Sequence, residues 1–111
     1  MHILSRMNHE EAQARARILK AMSHPARVII VDELSRGDRC VGDLLPLLAL
    51  DQSVVSRHLA HLKNAGIVTE RKAGARVIHH LECPCILKAL ECTLGVLRAE
   101  ARRRNHLLKG V

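Results

Sequence analysis

The chain contains no phenylalanine, tyrosine or tryptophan. A core without rings must be filled by Leu, Val, Ile, Ala and Met, which supply nearly all of the 48% hydrophobic content, and such a set suits helix-on-helix packing. Long apolar runs are also missing. Nothing approaches the ~20 residues of a membrane span, and MHILSRMNHEE has neither the length nor the flanks of a signal peptide, so the expected location is cytoplasmic, with no membrane partner. Acidic residues are in deficit: 11 Asp and Glu stand against 18 Lys and Arg, for a formal charge of +7 and a pI near 9.9. That excess favours a polyanionic partner, nucleic acid first. In a reducing compartment the four cysteines stay as thiols, which points to metal or redox chemistry ahead of structural disulfides.

At 111 residues the chain fits one small domain, and burial shared with a second copy would help its stability. It shows no internal repeat and no low-complexity linker. EEAQARARILKAM, about residues 10–22, has apolar residues near helical spacing. SHPARVIIVDELSRG carries Ser23 or His24 as cap, Pro25 at the first helical position and Gly37 past the end, which predicts a helix over Pro25–Ser35. The Val28–Val31 run could pass for a buried strand. A short helix is expected over about Val41–Leu48, interrupted or bent by Pro46. Asp51 is placed to cap the next helix, about 52–65. There Val55, Leu59 and Leu62 recur at i, i+4 and i+7, with Gly66 as the stop. Ser53, Ser56, Arg57, Ala60 and Asn64 sit on its opposite side. The period then changes to two, giving a hairpin over about 67–81 with a basic tip around Gly74. A last helix is predicted over about 84–104, opened by Pro84. This order describes a mainly α domain with a small β-hairpin wing, a winged helix-turn-helix spanning 1–111.

LKAMSHPARVIIVDEL, CVGDL and DQSVVSRHLAHLKNAGIVTERKAGARVIHHL resemble the ArsR/SmtB family of bacterial metal- and metalloid-responsive repressors, over roughly Leu19–Leu81. The resemblance implies a homodimer, joined through helices 10–22 and 84–104, that binds double-stranded operator DNA and releases it when an inducer binds. It sets the recognition helix at Gln52–Ala65, with Gln52, Ser53, Ser56, Arg57 and His58 at or near the major groove. The chemistry agrees, since Arg is the commonest reader of guanine, while Ser and Gln serve bases or phosphates. Arg71, Lys72 and Arg76 of the wing would contact phosphates or the minor groove. His79 and His80 stand where the family commonly has an aromatic. On one strand they point to opposite faces and cannot easily share an ion.

One family metal site begins C-V-C-D-L. Here the run is Cys40, Val41, Gly42, Asp43, Leu44, and only the first thiol survives, so Cys40 is the lesser candidate. A second family site, on the last helix, places D-x-H at Cys83 and Cys85, while its remaining ligands fall on Val96 and Ala99, which bind nothing. The zinc site of that pattern is therefore not copied. With Pro84 as the first helical residue, Cys83 would be the cap and Cys85 would lie in the first turn, where a helix N-terminus stabilises a thiolate. Thiolates select As(III), Sb(III), Cd(II), Hg(II) or Cu(I) over Mg or Ca. Cys92 lies ~10 Å further along an intact helix, so it joins them only if the first turn unwinds or if it comes from the partner copy.

The leading expectation is a non-enzymatic DNA-binding repressor, induced by a thiophilic ion, As(III) favoured, at Cys83, Cys85 and Cys92. A redox or reactive-sulfur sensor and a metabolite-responsive repressor of the same fold are the alternatives. A thiol-disulfide enzyme built on C-P-C would need a βαβ setting, which this sequence does not supply.

Overall fold

The computed structural model describes residues 6–109; the first five residues of MHILSRMNHEE and the end of the 1–111 domain lie outside the described residues. Helix α1 spans His9–Met22. The Asn8 side chain caps it by accepting from the Glu11 N–H at 2.8 Å, and Glu10 and Glu11 sit in the first turn, where negative charge is favourable. Helix α2 spans Pro25–Leu34. Of the two expected caps, His24 is the one used: its Nδ1 accepts from the Ala26 N–H at 3.1 Å. The Val28–Val31 run is helical, with Ile30 and Val31 fully buried.

Two local expectations are corrected at the next elements. Arg39 and Cys40 form a short strand, β1, which the sequence pattern hid because two residues carry no periodicity. Helix α3, Val41–Leu48, runs through Pro46 without interruption and ends at Ala49, which adopts φ 52°. Its start is tied by Asp43, whose carboxylate accepts from the Cys40 N–H at 3.0 Å and from the Cys40 thiol at 3.1 Å.

Helix α4 spans Gln52–Asn64. Asp51 precedes it, but its carboxylate makes no capping bond. Its backbone C=O accepts from the N–H groups of Val54 and Val55 instead. Gly66, at φ 81°, turns the chain into β2, Val68–Ala73, and a turn at Gly74, φ 66°, leads to β3, Arg76–Leu81. The sheet order is β1-β3-β2, all antiparallel, with Val68 opposite Leu81, Glu70 opposite His79 and Arg71 opposite Ile78.

The last helix, α5, spans Ile86–Lys109. It starts two residues later than predicted and continues past Arg104. The N–H groups of Ile86, Leu87 and Lys88 bond three residues back, to the carbonyls of Cys83, Pro84 and Cys85. This tight turn leaves both cysteines outside the helix. The core gathers Met22, Ile30, Val31 and Leu34 with Leu44, Val55, Leu59, Leu62, Ile67, Val68 and Leu81. No α5 side chain is buried; Ile86, Leu87 and Leu90 only lean on this cluster.

Candidate nucleic-acid interface and thiol pair

The buried residues of α4 are Val55, His58, Leu59 and Leu62. At 3.6 residues per turn the direction opposite them carries Ser53, Arg57, Ala60 and Asn64, all exposed. Gln52, Ser56 and Lys63 fall on the flank that faces the wing. Four of the five predicted readers, Gln52, Ser53, Ser56 and Arg57, are thus free on one continuous surface.

His58 is not. It occupies a position of the buried stripe, its Nδ1 accepts from Nε of Arg27 at 3.1 Å, and its ring lies 4.3 Å from that of His24. The same guanidinium donates to the Ala21 carbonyl at 3.2 Å. His58 therefore fastens α4 to α2 and is withdrawn as a DNA contact. Burial first, then His24 and Arg27, holds it below the ordinary histidine range.

On the wing, strand alternation separates two faces. Val68, Glu70 and Lys72 share the inner face with Leu81, His79 and Val77; Thr69, Arg71 and Ala73 share the outer face with His80, Ile78 and Arg76. His79 and His80 do point apart. His80 Nδ1 lies 2.7 Å from Asp38 Oδ1, and Arg71 donates to Asp38 Oδ2 at 2.8 Å, so a single carboxylate ties both wing strands to the segment before β1. These two partners, His80 before Arg71, keep Asp38 below the usual carboxylate range. Arg71 is thus already engaged, whereas Lys72 and Arg76 form no ion pair among the described residues.

An open groove of about 620 Å³ runs between α4 and the wing, lined by Gln52, Ser56, Lys63, Arg76, Glu70 and His79 among others. Lys63 donates to Glu70 at 2.6 Å. The sequence pattern missed this pair, although Lys63 lies seven residues from Ser56 and so shares its flank. His79 is buried against Glu70, with its Nε2 unpartnered.

Beyond the wing, the Sγ atoms of Cys83 and Cys85 are 2.9 Å apart. Cys83 is not the cap of α5 and Cys85 is not in its first turn; Cys85 stands instead at the residue before Ile86. The hydrogen bond between them, followed by burial, pushes the Cys83 thiol up, opposite to the lowering expected at a helix N-terminus. Cys92 is exposed on α5, Cys40 is buried at the start of α3, and among the described residues no three His, Cys, Asp or Glu side chains gather closely enough to hold a metal ion. Within one chain, Cys92 does not complete the pair.

Residues 24–70 match the family model for bacterial regulatory proteins of the arsR family. The HTH-type transcriptional repressor SmtB of Mycobacterium tuberculosis is 39% identical over 72 residues, which cover 65% of this chain and 53% of that protein. The chain therefore spans about half of that relative's length. The crystal structure of NolR from Sinorhizobium fredii is similar with a TM-score of 0.72 at 31% identity, covering 86% of this chain and 96% of NolR. A structure of reduced HlyU from Vibrio cholerae superposes with a TM-score of 0.68 at 31% identity, over 76% of this chain and 92% of that one. The chain belongs to the ArsR family. The matched family model describes bacterial regulatory proteins. As an ArsR protein the chain matches its family from α2 into β2, which includes the outward face of α4 and the Lys63–Glu70 pair and excludes all three thiols at residues 83–92. No helix among the described residues is long and apolar enough to cross a membrane.

Burial holds both His58 and His79 below the usual histidine range. The unfolded chain therefore takes up these protons first as pH falls, so stability is full above about pH 6.5 and declines below it. Asp38, Asp43 and Glu70, lowered by their partners, add their losses only below about pH 4. The urea midpoint should fall as pH drops from 7 towards about 5.5, and His79→Leu should flatten that fall. An unchanged slope in the variant would show that His79 takes no part.

Proposed function

We propose that this ArsR protein is a homodimeric transcriptional repressor that binds double-stranded operator DNA with α4 in the major groove and the wing on the adjacent backbone. A thiophilic metal or metalloid, As(III) before Sb(III), Cd(II), Hg(II) or Cu(I), would release it by binding at Cys83 and Cys85. One observation carries the DNA half: Ser53, Arg57 and Asn64 point away from the core, beside a wing that offers Lys72 and Arg76. Arg is suited to a guanine edge, while the wing cations suit phosphates. Dimerisation is supported by Ile18 and Leu19 on α1 and Leu94, Val96 and Leu97 on α5, all exposed, since apolar helix faces left open in one chain find their partner in a second copy.

The inducer half rests on the 2.9 Å sulfur separation. Metal–sulfur bonds of ~2.3 Å let both thiols reach one ion with little opening, and arsenous acid exchanges a hydroxyl for each thiol with loss of water, so no oxidant is required. A third sulfur would come from Cys92 of the second copy. The same separation favours a second reading, a redox sensor in which the pair loses two electrons and two protons to an oxidant and closes to a disulfide; the likeness to reduced HlyU supports keeping it.

Arg57→Ala should lose about 1–3 kcal/mol of specific binding, and Arg76→Ala should weaken specific and non-specific DNA alike; intact affinity in both, at ~0.15 M salt, removes the assignment of helix and wing. Sedimentation at micromolar concentration should give a dimer, and a monomer there removes the paired recognition helices. The double change Cys83→Ser with Cys85→Ser should leave operator binding near normal and abolish release by As(III), whereas Cys40→Ser should do little. Release of the double variant at the same As(III) concentration places the inducer elsewhere. If As(III) never releases the wild type but oxidant or polysulfide does, through the same two cysteines, the redox reading holds instead.

A further inference from the structure

Three features of the groove between α4 and the wing belong together. It is shared by the two elements assigned to DNA, its wall offers the Gln52 amide, the Ser56 hydroxyl and the cations Lys63 and Arg76, and Glu70 is the one carboxylate that lines it. Those are the donor types that contact sugar-phosphate backbone. Yet Lys63 is not free: its Nζ lies 2.6 Å from Glu70 Oε1, in a pair whose side chains are 51% and 37% exposed. An ion pair this open to water holds its partners weakly.

We propose that Glu70 occupies, in the DNA-free protein, the place that a backbone phosphate of DNA takes at Lys63, making the groove a phosphodiester seat checked by the chain's own carboxylate. This rests on the reading that α4 and the wing face DNA. When DNA enters, Lys63 exchanges the carboxylate for the phosphate. The direction of retreat is already present, because the second oxygen of Glu70 lies 3.9 Å from Nδ1 of His79. The exchange weakens the phosphate contact by the strength of the ion pair it breaks, so Glu70 sets an upper limit on sequence-independent affinity. That limit matters for a repressor that must distinguish its operator from the surrounding excess of other DNA. The seat also explains why Lys63 stands on the wing flank of α4 and not on the outward face with Arg57: it reads backbone and carries no sequence preference.

A backbone contact needs no particular sequence, so the test uses the full chain and a labelled duplex of arbitrary sequence, followed by anisotropy across a salt series. Glu70→Gln should bind roughly two- to fivefold more tightly, the inverse of a weak surface pair, with the salt slope little changed because Lys63 meets a phosphate either way. Lys63→Gln should give a slope shallower by about 1. In the Lys63→Gln background most of the gain from Glu70→Gln should vanish, because the carboxylate then has nothing to withhold. An equal gain in both backgrounds means that Glu70 acts only as a distant negative charge and overturns the seat, as does no gain in either. If Arg76→Ala weakens binding while the cycle between positions 63 and 70 stays flat, only this inference falls. If Arg76→Ala, Lys63→Gln and Glu70→Gln all leave binding as in wild type, the assignment of this face to DNA falls with it.

Discussion

The packing of Val55, Leu59 and Leu62 against Ile30, Val31, Leu34 and Leu44 decides everything that the outer surface can do, because it fixes the rotation of α4 about its own axis. Each such side chain contributes about 1.5–3 kcal/mol on burial. Turning the helix by one residue would expose Val55 and Leu62 and carry Ser56 and Lys63 inward, and a further residue would bury Arg57 without a counter-charge, a state whose penalty exceeds any packing gain. The polar face therefore follows from the apolar one. Since the chain has no Phe, Tyr or Trp to fill the core, this stripe must be continuous, and His58 is admitted to it with Arg27 supplying a donor to the buried nitrogen.

A second layer of control is electrostatic and lies mostly at the surface. Asp38 reaches His80 on β3 and Arg71 on β2, Glu70 reaches Lys63 on α4, and Asp43 holds both polar groups of Cys40 at the start of α3. Exposed pairs of this type add little to stability. Their effect is geometric: Asp38 grips the wing from its outer face and Glu70 from its inner one, so the hairpin is held from both sides at a fixed distance from α4. They also divide the cations into two groups. Arg57, Lys72 and Arg76 are open to a polyanion at once, while Lys63 and Arg71 must first give up a carboxylate.

The elements legible in the sequence were those whose information is periodic or steric. The i, i+4, i+7 spacing of Val55, Leu59 and Leu62, the Pro25 start of α2 and the glycines at 66 and 74 located helix, helix and hairpin within a residue or two. What stayed hidden was set by partners distant in the chain. Strand β1 is defined only by its pairing with β3, the Lys63–Glu70 and Asp38–Arg71 pairs join elements that no local pattern links, and the partners that hold His58, Arg27 and His24, lie far back in the chain. The start of α5 was misjudged for a local reason: Pro84 is compatible with a first helical turn, but the chain uses it in a tighter turn in which three successive N–H groups bond three residues back.

That displaced start places the thiols where a change in them is felt by the wing. β3 ends at Leu81, which is buried, and the next residue, Glu82, donates its N–H to Ile67 and accepts from the Thr69 hydroxyl at the foot of β2. Cys83 follows directly. Had both cysteines lain inside α5, an ion or a disulfide between them would have altered a helix that has no fully buried side chain in its own chain. Placed in the turn, they act on the single covalent link between the base of the hairpin and α5, the helix assigned to the dimer seam. Two groups can be coupled over a distance only through an element whose arrangement both of them bias, and on the proposed function residues 82–85 are that element: Glu82 is hydrogen-bonded to Ile67 and Thr69, and the segment leads into α5. On the proposed function, closing the pair around an ion changes the direction in which α5 departs, and with it the spacing of the two α4 helices in the dimer, without disturbing the stripe that holds each α4 in place.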